Sequence, residues 1–419
     1  MINHNLPKNW EVKTLAEVCT SKNSNIVLSS IENNTGKYPI YGAKGLLKTI
    51  DFYTIENESL GIVKDGAGVG RIFLLPEKSS LIGTMAYIQA NKNLNLKYLY
   101  HFLHTINFNQ YISGSAIPHI YFRDYKKEKI PLPPLEVQKA IVEKLENAFA
   151  HIDEAVHHLK AVQTNIPRLK SSLLHCAFSG KLTESQNSSH EVQTLKSVVG
   201  VEGETLPFEP PHPLIKTEIP QGWEIKTLGE VCKINPKNKL DDDLEVSFIP
   251  MNLIADKYQN KFSYEIRKWS EVKKGYTHLQ NRCIAIAKIT PCFENGKCVI
   301  LQDLKNGYGA GTTELIVVLA DENKILPKFV FYFFNTTNFT KEGVKNFKGT
   351  AGQLRISKDF ITNLQIPLPP LATQNQIVRI LEFKFAHLEK LEQFVNESLE
   401  NLQRLKSSLL NQAFKGELV

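Results

Sequence analysis

Apolar and small residues recur at alternating spacings of four and three from Ile141 onward, through Leu145, Ala148, Ile152, Ala155, Leu159, Val162, Ile166, Leu169 and Leu173. A 3.5-residue period sustained over that stretch predicts a long helix whose stripe forms a coiled-coil seam. The pattern returns through Ile377, Leu381, Leu388, Leu391, Val395, Leu402, Leu405 and Leu409, with Lys384 and Ser398 as polar seam positions that can fix register. Both stripes belong to a larger repeat. Residues 130–182 and 366–418 align without a gap at a shift of 236, with 26 of 53 positions identical. Each copy opens on IPLPPL, whose prolines suit an extended entry and delay the helix until the last is passed. Helices from about 137 to 178 and from about 373 to 414 would each be roughly 60 Å long at 1.5 Å per residue. Neither stands alone at that length, and the simplest partner of each is the other. Pro167, where the second copy has Gln403, is the local conflict. It removes one helical hydrogen bond and is expected to kink or interrupt the first helix near Thr164.

A second, shorter repeat opens each half. LPKNWEVKTLAEVC (Leu6–Cys19) returns as IPQGWEIKTLGEVC (Ile219–Cys232) at a shift of 213, so the middle of the second half is 23 residues longer (236 − 213). The halves share their ends and differ in their middles. In the first middle, YPIYGAKGLLKT (Tyr38–Thr49) and IVKDGAGVGRIFLL (Ile62–Leu75) read as β-strands joined by glycine turns. The second middle has its counterpart in AIAKITPCFENGKCVI (Ala285–Ile300), followed by GYGAGTTELIVVL (Gly307–Leu319). The expected fold class is α+β: two globular mixed α/β domains separated by an antiparallel coiled coil of two long helices, with an internal pseudo-two-fold repeat. The expected boundaries are 1–129 for the first variable domain, 130–182 for the first helix, 183–212 for a polar, acidic linker, 213–365 for the second variable domain and 366–419 for the second helix.

Charge sharpens this division. The net charge is +7. Residues 20–129 carry 13 basic against 8 acidic side chains (+5) and residues 233–365 carry 20 against 14 (+6), while residues 183–232 carry −5. The positive excess sits in the two variable middles, which points to a polyanion such as DNA. Apolar runs are broken by charges well short of 18 residues and the first twenty residues lack the shape of a signal peptide, so the expectation is a cytoplasmic protein with no membrane contact. Six cysteines include no C-x-x-C pair and read as reduced thiols, with no metal site expected.

Candidate chemistry lies on turns. Gly66, Gly68 and Gly70 invite a phosphate-loop reading, but Arg71 stands where a dinucleotide fingerprint needs glycine, and no Gly-Lys-Ser/Thr follows. The better reading is a turn presenting Lys64 and Arg71, with Lys44 on the neighbouring glycine turn. Lys288, Thr290, Glu294, Asn295 and Lys297 bunch around the corresponding loop of the second middle. Just before each long helix, SGSAIPHIYFRD (Ser113–Asp124) carries His119 and KGTAGQLRISKD (Lys348–Asp359) carries Gln353 and Arg355. Such side chains reach base edges and phosphates alike, and each is equally at home on an exposed turn. There is no Asn/Asp-Pro-Pro-Tyr/Phe stretch, no Walker sequence and no H-E-x-x-H. The residues describe a binding module rather than a catalyst.

Three features together resemble the specificity subunit of a Type I restriction-modification enzyme over nearly the whole chain. They are the duplicated IPLPPL-x-x-Q entries with Gln138 and Gln374, the RLKSSLL…AF-x-G-x-L endings (Arg168–Leu182 and Arg404–Leu418), and the Trp-Glu pairs Trp10–Glu11 and Trp223–Glu224. The resemblance implies that each variable domain reads one half of a bipartite sequence in double-stranded DNA. It also implies that the helices act as a ruler and as the dock for two modification (methyltransferase) subunits, with restriction subunits joining in the full complex. It implies no catalysis and no cofactor on this chain, S-adenosylmethionine, ATP and Mg belonging to the partner subunits. Because the two middles differ, the half-sites should differ, giving an asymmetric target. Two other readings stand beside it: a self-contained nuclease or methyltransferase, and a scaffold that joins proteins without touching DNA.

Overall fold

A computed structural model describes residues 6–114, 117–184, 219–350 and 352–418. The expected linker lies outside the described residues from 185 onward. The chain divides into two compact units. Met1–Leu159 with Asn396–Val419 form the first, and Lys160–Val395 form the second. Each unit thus holds one variable domain, the beginning of one long helix and the end of the other.

The two units share a frame built from the repeated ends. In unit 1, Glu11–Thr14 pairs antiparallel with Lys129–Leu132, Val12 facing Pro131. In unit 2, Glu224–Thr227 pairs with Gln365–Leu368 in the same register, Ile225 facing Pro367. A proline is tolerated here because a two-stranded ladder leaves an edge on which the missing N–H costs nothing. The next residue turns into a single helical turn closed by a capping box. Thr14 donates its N–H and Oγ1–H to the Glu17 carboxylate, both at 2.7 Å, and Thr227 donates to Glu230 at 2.6 and 2.7 Å. These bonds hold both glutamates below the ordinary carboxylate range, the backbone N–H of the threonine being the larger cause.

Each chain half then forms an antiparallel four-stranded sheet of one topology. The order is Cys19–Asn23, Met85–Ala90, Ser59–Val63, Ile72–Leu75 in unit 1. In unit 2 it is Cys232–Ile234, Leu315–Ala320, Cys283–Ala287, Cys298–Ile300. The central strands, SLGIV and CIAIA, are buried along their whole length, as expected for short apolar runs flanked by turn residues. The units diverge in the second sheet. Unit 1 has three strands, Gly45–Ile50, Tyr38–Gly42 and Ser80–Leu81. Unit 2 has four, Glu265–Lys268, Glu245–Ile249, Tyr308–Gly311 and Thr277–Gln280.

An eight-residue helix covers this shared sheet in each unit, Leu96–Leu103 in unit 1 and Pro327–Phe334 in unit 2. Its N-terminus is tied to the start of the long helix by one buried glutamine. Gln138 Oε1 accepts the Asn95 N–H at 2.8 Å, and Nε2 donates to Asn93 O at 3.0 Å and Pro133 O at 2.8 Å. Gln374 repeats this on the Leu326 N–H at 2.9 Å, Lys324 O at 3.0 Å and Pro369 O at 2.8 Å. Both side chains are fully buried. The same short helices receive the far end of the other half's long helix. Phe414 packs edge-on against Tyr98 and Phe102, and Phe178 packs on Phe329 and Phe333 at the same relative positions. Each long helix stops at a left-handed glycine, Gly180 (φ +84°) and Gly416 (φ +77°), where a Cβ would strike Pro220 and Pro7 respectively.

The long helices span Leu135–Phe178 and Leu371–Lys415. They run antiparallel within each unit. In unit 1, Lys144 donates to Leu418 O and Lys406 pairs with Asp153 at 2.5 Å. In unit 2, Lys170 pairs with Glu392 at 3.1 Å. Lys170 and Lys406 are equivalent in the repeat, and each also lies over an aromatic ring, Tyr258 or Phe149.

Two expectations are corrected. The first helix is one continuous element through Pro167, so the expected interruption does not occur. Pro167 itself is exposed, and Ile166, Lys170 and Leu174 beside it are buried, so packing holds the turn that has lost a hydrogen bond. Leu391 and Leu405, expected on the seam, are 38% and 45% exposed. Phe385 is buried in place of the expected Lys384, and Glu392 and Lys406, next to Leu391 and Leu405, reach across to Lys170 and Asp153. A straight helix drifts about 20° per heptad from a strict 3.5 repeat, and anchoring Ile377, Leu381 and Phe385 in the domain core keeps this one near 3.6. Of the other expected seam residues, Ile141, Leu145, Ile152, Ile166, Ile377, Leu381, Leu388 and Val395 are buried, while Leu159, Leu169, Leu173, Leu402 and Leu409 are partly covered.

Two predictions follow from this packing. Gln138→Leu and Gln374→Leu each orphan a backbone N–H, and chemical denaturation should show comparable losses of at least about 1–3 kcal/mol for the two variants. His101, buried against Phe149, is pushed down to about 4 by desolvation. Protons therefore favour the unfolded chain, and the stability His101 contributes is complete above about pH 6.5 and lost as the pH falls from there towards 4. Melting temperatures across that window should fall less steeply in His101→Phe.

Candidate nucleic-acid interface

In each unit the hairpin that follows the central strand lies against the loop preceding the long helix, and the backbone hydrogen bonds match one for one. In unit 1, Lys64 donates its N–H to Thr84 O and accepts at its own O from Ile120 N–H, while Gly66 N–H reaches Pro118 O. In unit 2, Lys288 N–H reaches Glu314 O, Ile356 N–H reaches Lys288 O, and Thr290 N–H reaches Leu354 O. The hairpins close alike, Val63 N–H on Arg71 O and Ala287 N–H on Lys297 O. Ser113 and His119 exchange two backbone bonds at 2.9 and 2.8 Å, and Lys348 and Arg355 exchange two at 2.9 Å. The frame therefore makes Lys64 equivalent to Lys288, Arg71 to Lys297, His119 to Arg355 and Thr84 to Glu314.

The frame gathers the predicted residues of each half on one loop cluster, but it leaves them in different electrostatic states. Lys64 is paired with Asp65 at 2.6 Å. Arg71 donates from Nη1 to Ala43 O at 2.8 Å, which draws in the turn carrying the exposed Lys44. Its counterpart Lys297 donates to Ile254 O and lies 3.4 Å from Asp256. These two cations hold their hairpins to loops of the second sheet. Thr290 donates to the Glu294 carboxylate. Asn295 and Gln353 are exposed. His119 Nδ1 lies 3.2 Å from Ile117 O, and its ring is 5.2 Å from Tyr121, on which the Arg123 guanidinium also sits. Arg355 forms a two-pronged pair with Glu314, Nε to Oε2 at 2.8 Å and Nη2 to Oε1 at 3.0 Å, and donates from Nη1 to Gln353 O at 2.7 Å. The Arg355 hydrogen bonds and the Lys288 charge hold the Glu314 carboxyl below its ordinary range.

Sequence reasoning selected the cations and missed the acids that partner them, Asp65, Asp256 and Glu314. A signal was available only for Asp65, adjacent to Lys64. Glu314 lies in the turn just before the strand Leu315–Ala320, 26 residues after Lys288 (314 − 288), and only pairing of the strands brings them together. No group of histidines, cysteines or carboxylates able to hold a metal ion occurs among the described residues, and none of their helices is long and apolar enough to cross a membrane.

The chain matches the family model described as the Type I restriction modification DNA specificity domain twice, over residues 7–162 and 220–401. It is 40% identical over 257 residues to the EcoAI specificity subunit of Escherichia coli, covering 58% of this chain and 44% of that protein. To the EcoEI specificity subunit of the same species it is 36% identical, over 58% of this chain and 43% of the relative. The matched region thus spans less than half the length of these two relatives. The MjaVIII specificity subunit of Methanocaldococcus jannaschii is 24% identical and aligns over 99% of this chain and 94% of its own. Among solved structures, a chain of a type I R-M system superimposes with a TM-score of 0.70 at 18% identity, covering 99% of this chain and 100% of that one. The HsdS subunit of Thermoanaerobacter tengcongensis gives 0.57 at 19%, with 99% of both chains covered. These likenesses establish the shared fold.

The Glu314–Arg355 pair has a measurable signature. A carboxyl titration by NMR should place Glu314 below the ordinary glutamate range in the native chain and return it upward in Arg355→Ala. Because the native value is depressed, the pair's contribution to stability is present above the ordinary range and disappears as the pH falls through the native value.

Proposed function

Since the chain belongs to the Type I restriction-modification DNA specificity family, we propose that it is the sequence-reading subunit of such a complex, each variable domain recognising one half of a bipartite, asymmetric target in double-stranded DNA. The observation that carries this reading is the pair of matched loop clusters. One backbone frame is used twice and presents Lys64, Asp65 and His119 in one unit and Lys288, Glu314 and Arg355 in the other. A repeated frame with different side chains suits two readers of one polymer with different base preferences. The net positive charge of both variable middles supports attraction to the phosphate backbone, which makes affinity salt-dependent.

The long helices serve as the spacer and as the dock for two modification subunits. Helices of 44 and 45 residues are roughly 65 Å long at 1.5 Å per residue, more than one turn of B-DNA at about 34 Å. Phe383, Leu391 and Phe394 on the second helix are exposed. Residues eight and eleven apart share a helix side, so together they offer a partner helix an apolar strip. S-adenosylmethionine, ATP and Mg act on partner subunits, and restriction subunits complete the assembly.

The test is adenine methylation of a randomised DNA library by this chain mixed with the modification subunit of its own system, beside each protein alone. Methylation only in the mixture, at one split asymmetric motif, is the expected outcome. Turnover by this chain alone would establish the self-contained enzyme, and a complex without sequence preference would establish the scaffold. In the same assay Phe383→Ser with Phe394→Ser should weaken complex formation by about tenfold or more, read by analytical ultracentrifugation.

A further inference from the structure

The two loop clusters differ most where Arg355 meets Glu314. Two explanations compete: the ion pair is a staple that closes the loop, or it is an aiming device for the guanidinium. The staple explanation is weakened by unit 1. There the same backbone bonds form between Ser113 and His119, and between Lys64 O and Ile120 N–H, with Thr84 and His119 standing where unit 2 has Glu314 and Arg355. The frame closes without an ion pair at those places. Phosphate binding is a poor account as well, because Glu314 cancels the Arg355 charge. A neutralised arginine contributes little to counterion release, so what it offers is direction.

Direction is well defined on both ends of the side chain. The Arg355 backbone is fixed by its two bonds to Lys348, and the head is fixed by Glu314 and Gln353 O. A guanidinium has five N–H groups. Three are used in these bonds, leaving one on Nη1 and one on Nη2. The side chain is 34% exposed, so this remaining pair of donors is reachable. Two donors on a planar fork match O6 and N7 of guanine in the major groove.

We propose that Glu314 is a positioning residue that orients Arg355 to read a guanine in the half-site of the second variable domain, and that His119 at the equivalent place gives the first half-site a different preference there. This rests on the DNA-reading function proposed above and names the base class and the residue pair behind it.

The experiment assembles the full chain with its modification subunit and measures methylation over a library randomised in both half-sites, at one fixed salt concentration. It compares wild type with Glu314→Gln, Glu314→Asp, Arg355→Lys and the double variant Glu314→Thr with Arg355→His. Melting temperatures are recorded in parallel. The expected wild-type result is a guanine required at one position of one half-site. Glu314→Gln and Arg355→Lys should each relax that single position by on the order of 10-fold or more, leaving the other half-site and the remaining positions unchanged. Glu314→Asp should retain part of the preference, and the double variant should replace guanine by another preference. The proposal is overturned if both single variants keep the wild-type preference everywhere. It is also overturned if preference falls evenly across the half-site together with the melting temperature, which is the behaviour of a staple. Absence of any sequence preference in the wild-type complex would instead remove the DNA-reading function itself.

Discussion

The buried amide of one glutamine per half sets the relation between each variable domain and its helix. Gln138 and Gln374 each spread three hydrogen bonds over the proline entry, the loop before the short sheet helix and the first residue of that helix's cap. A fully buried amide left unpaired is expensive, so the only low-energy arrangement is the one in which all three partners converge. The long helix therefore leaves its domain in one direction.

The second structural constraint is reciprocity. Phe414 from the second half completes the core beside Tyr98 and Phe102, and Phe178 from the first half completes the core beside Phe329 and Phe333. The glycine stops at Gly180 and Gly416 let the chain pass close to Pro220 and Pro7. Each unit is consequently built from both halves of the sequence. The substitution of Phe329 for Tyr98 shows the tolerance of this joint: the Tyr98 hydroxyl donates to Pro131 O at 2.8 Å, whereas Phe329 fills the same place by packing alone.

Within that frame the variable loops supply chemistry. Much of the charge on these loops is paired. Lys64, Lys297 and Arg355 are paired with carboxylates, and Arg71 is bonded to a carbonyl. Paired cations give up long-range attraction and gain fixed geometry, which favours discrimination between bases over general affinity.

The long helices, their antiparallel partnership and the duplicated frame were legible in the sequence because they rest on local periodicity and on identity between repeats. The glycine-flanked hairpins were legible for the same reason, and so was the concentration of basic residues in the two middles. The exact buried face of the helices was not, as Leu391, Glu392, Leu405 and Lys406 show, because anchorage in a domain core decides between a 3.5 and a 3.6 period. Nor was the equivalence of His119 with Arg355, since the middles share almost no sequence and only their backbone bonds coincide. The sequence by itself determined which segments are helix, which are variable and that the chain is two halves. Tertiary structure alone decided which acid meets which cation, because Glu314 and Arg355 are far apart along the chain and become neighbours only when strand pairing and loop closure bring their backbones together.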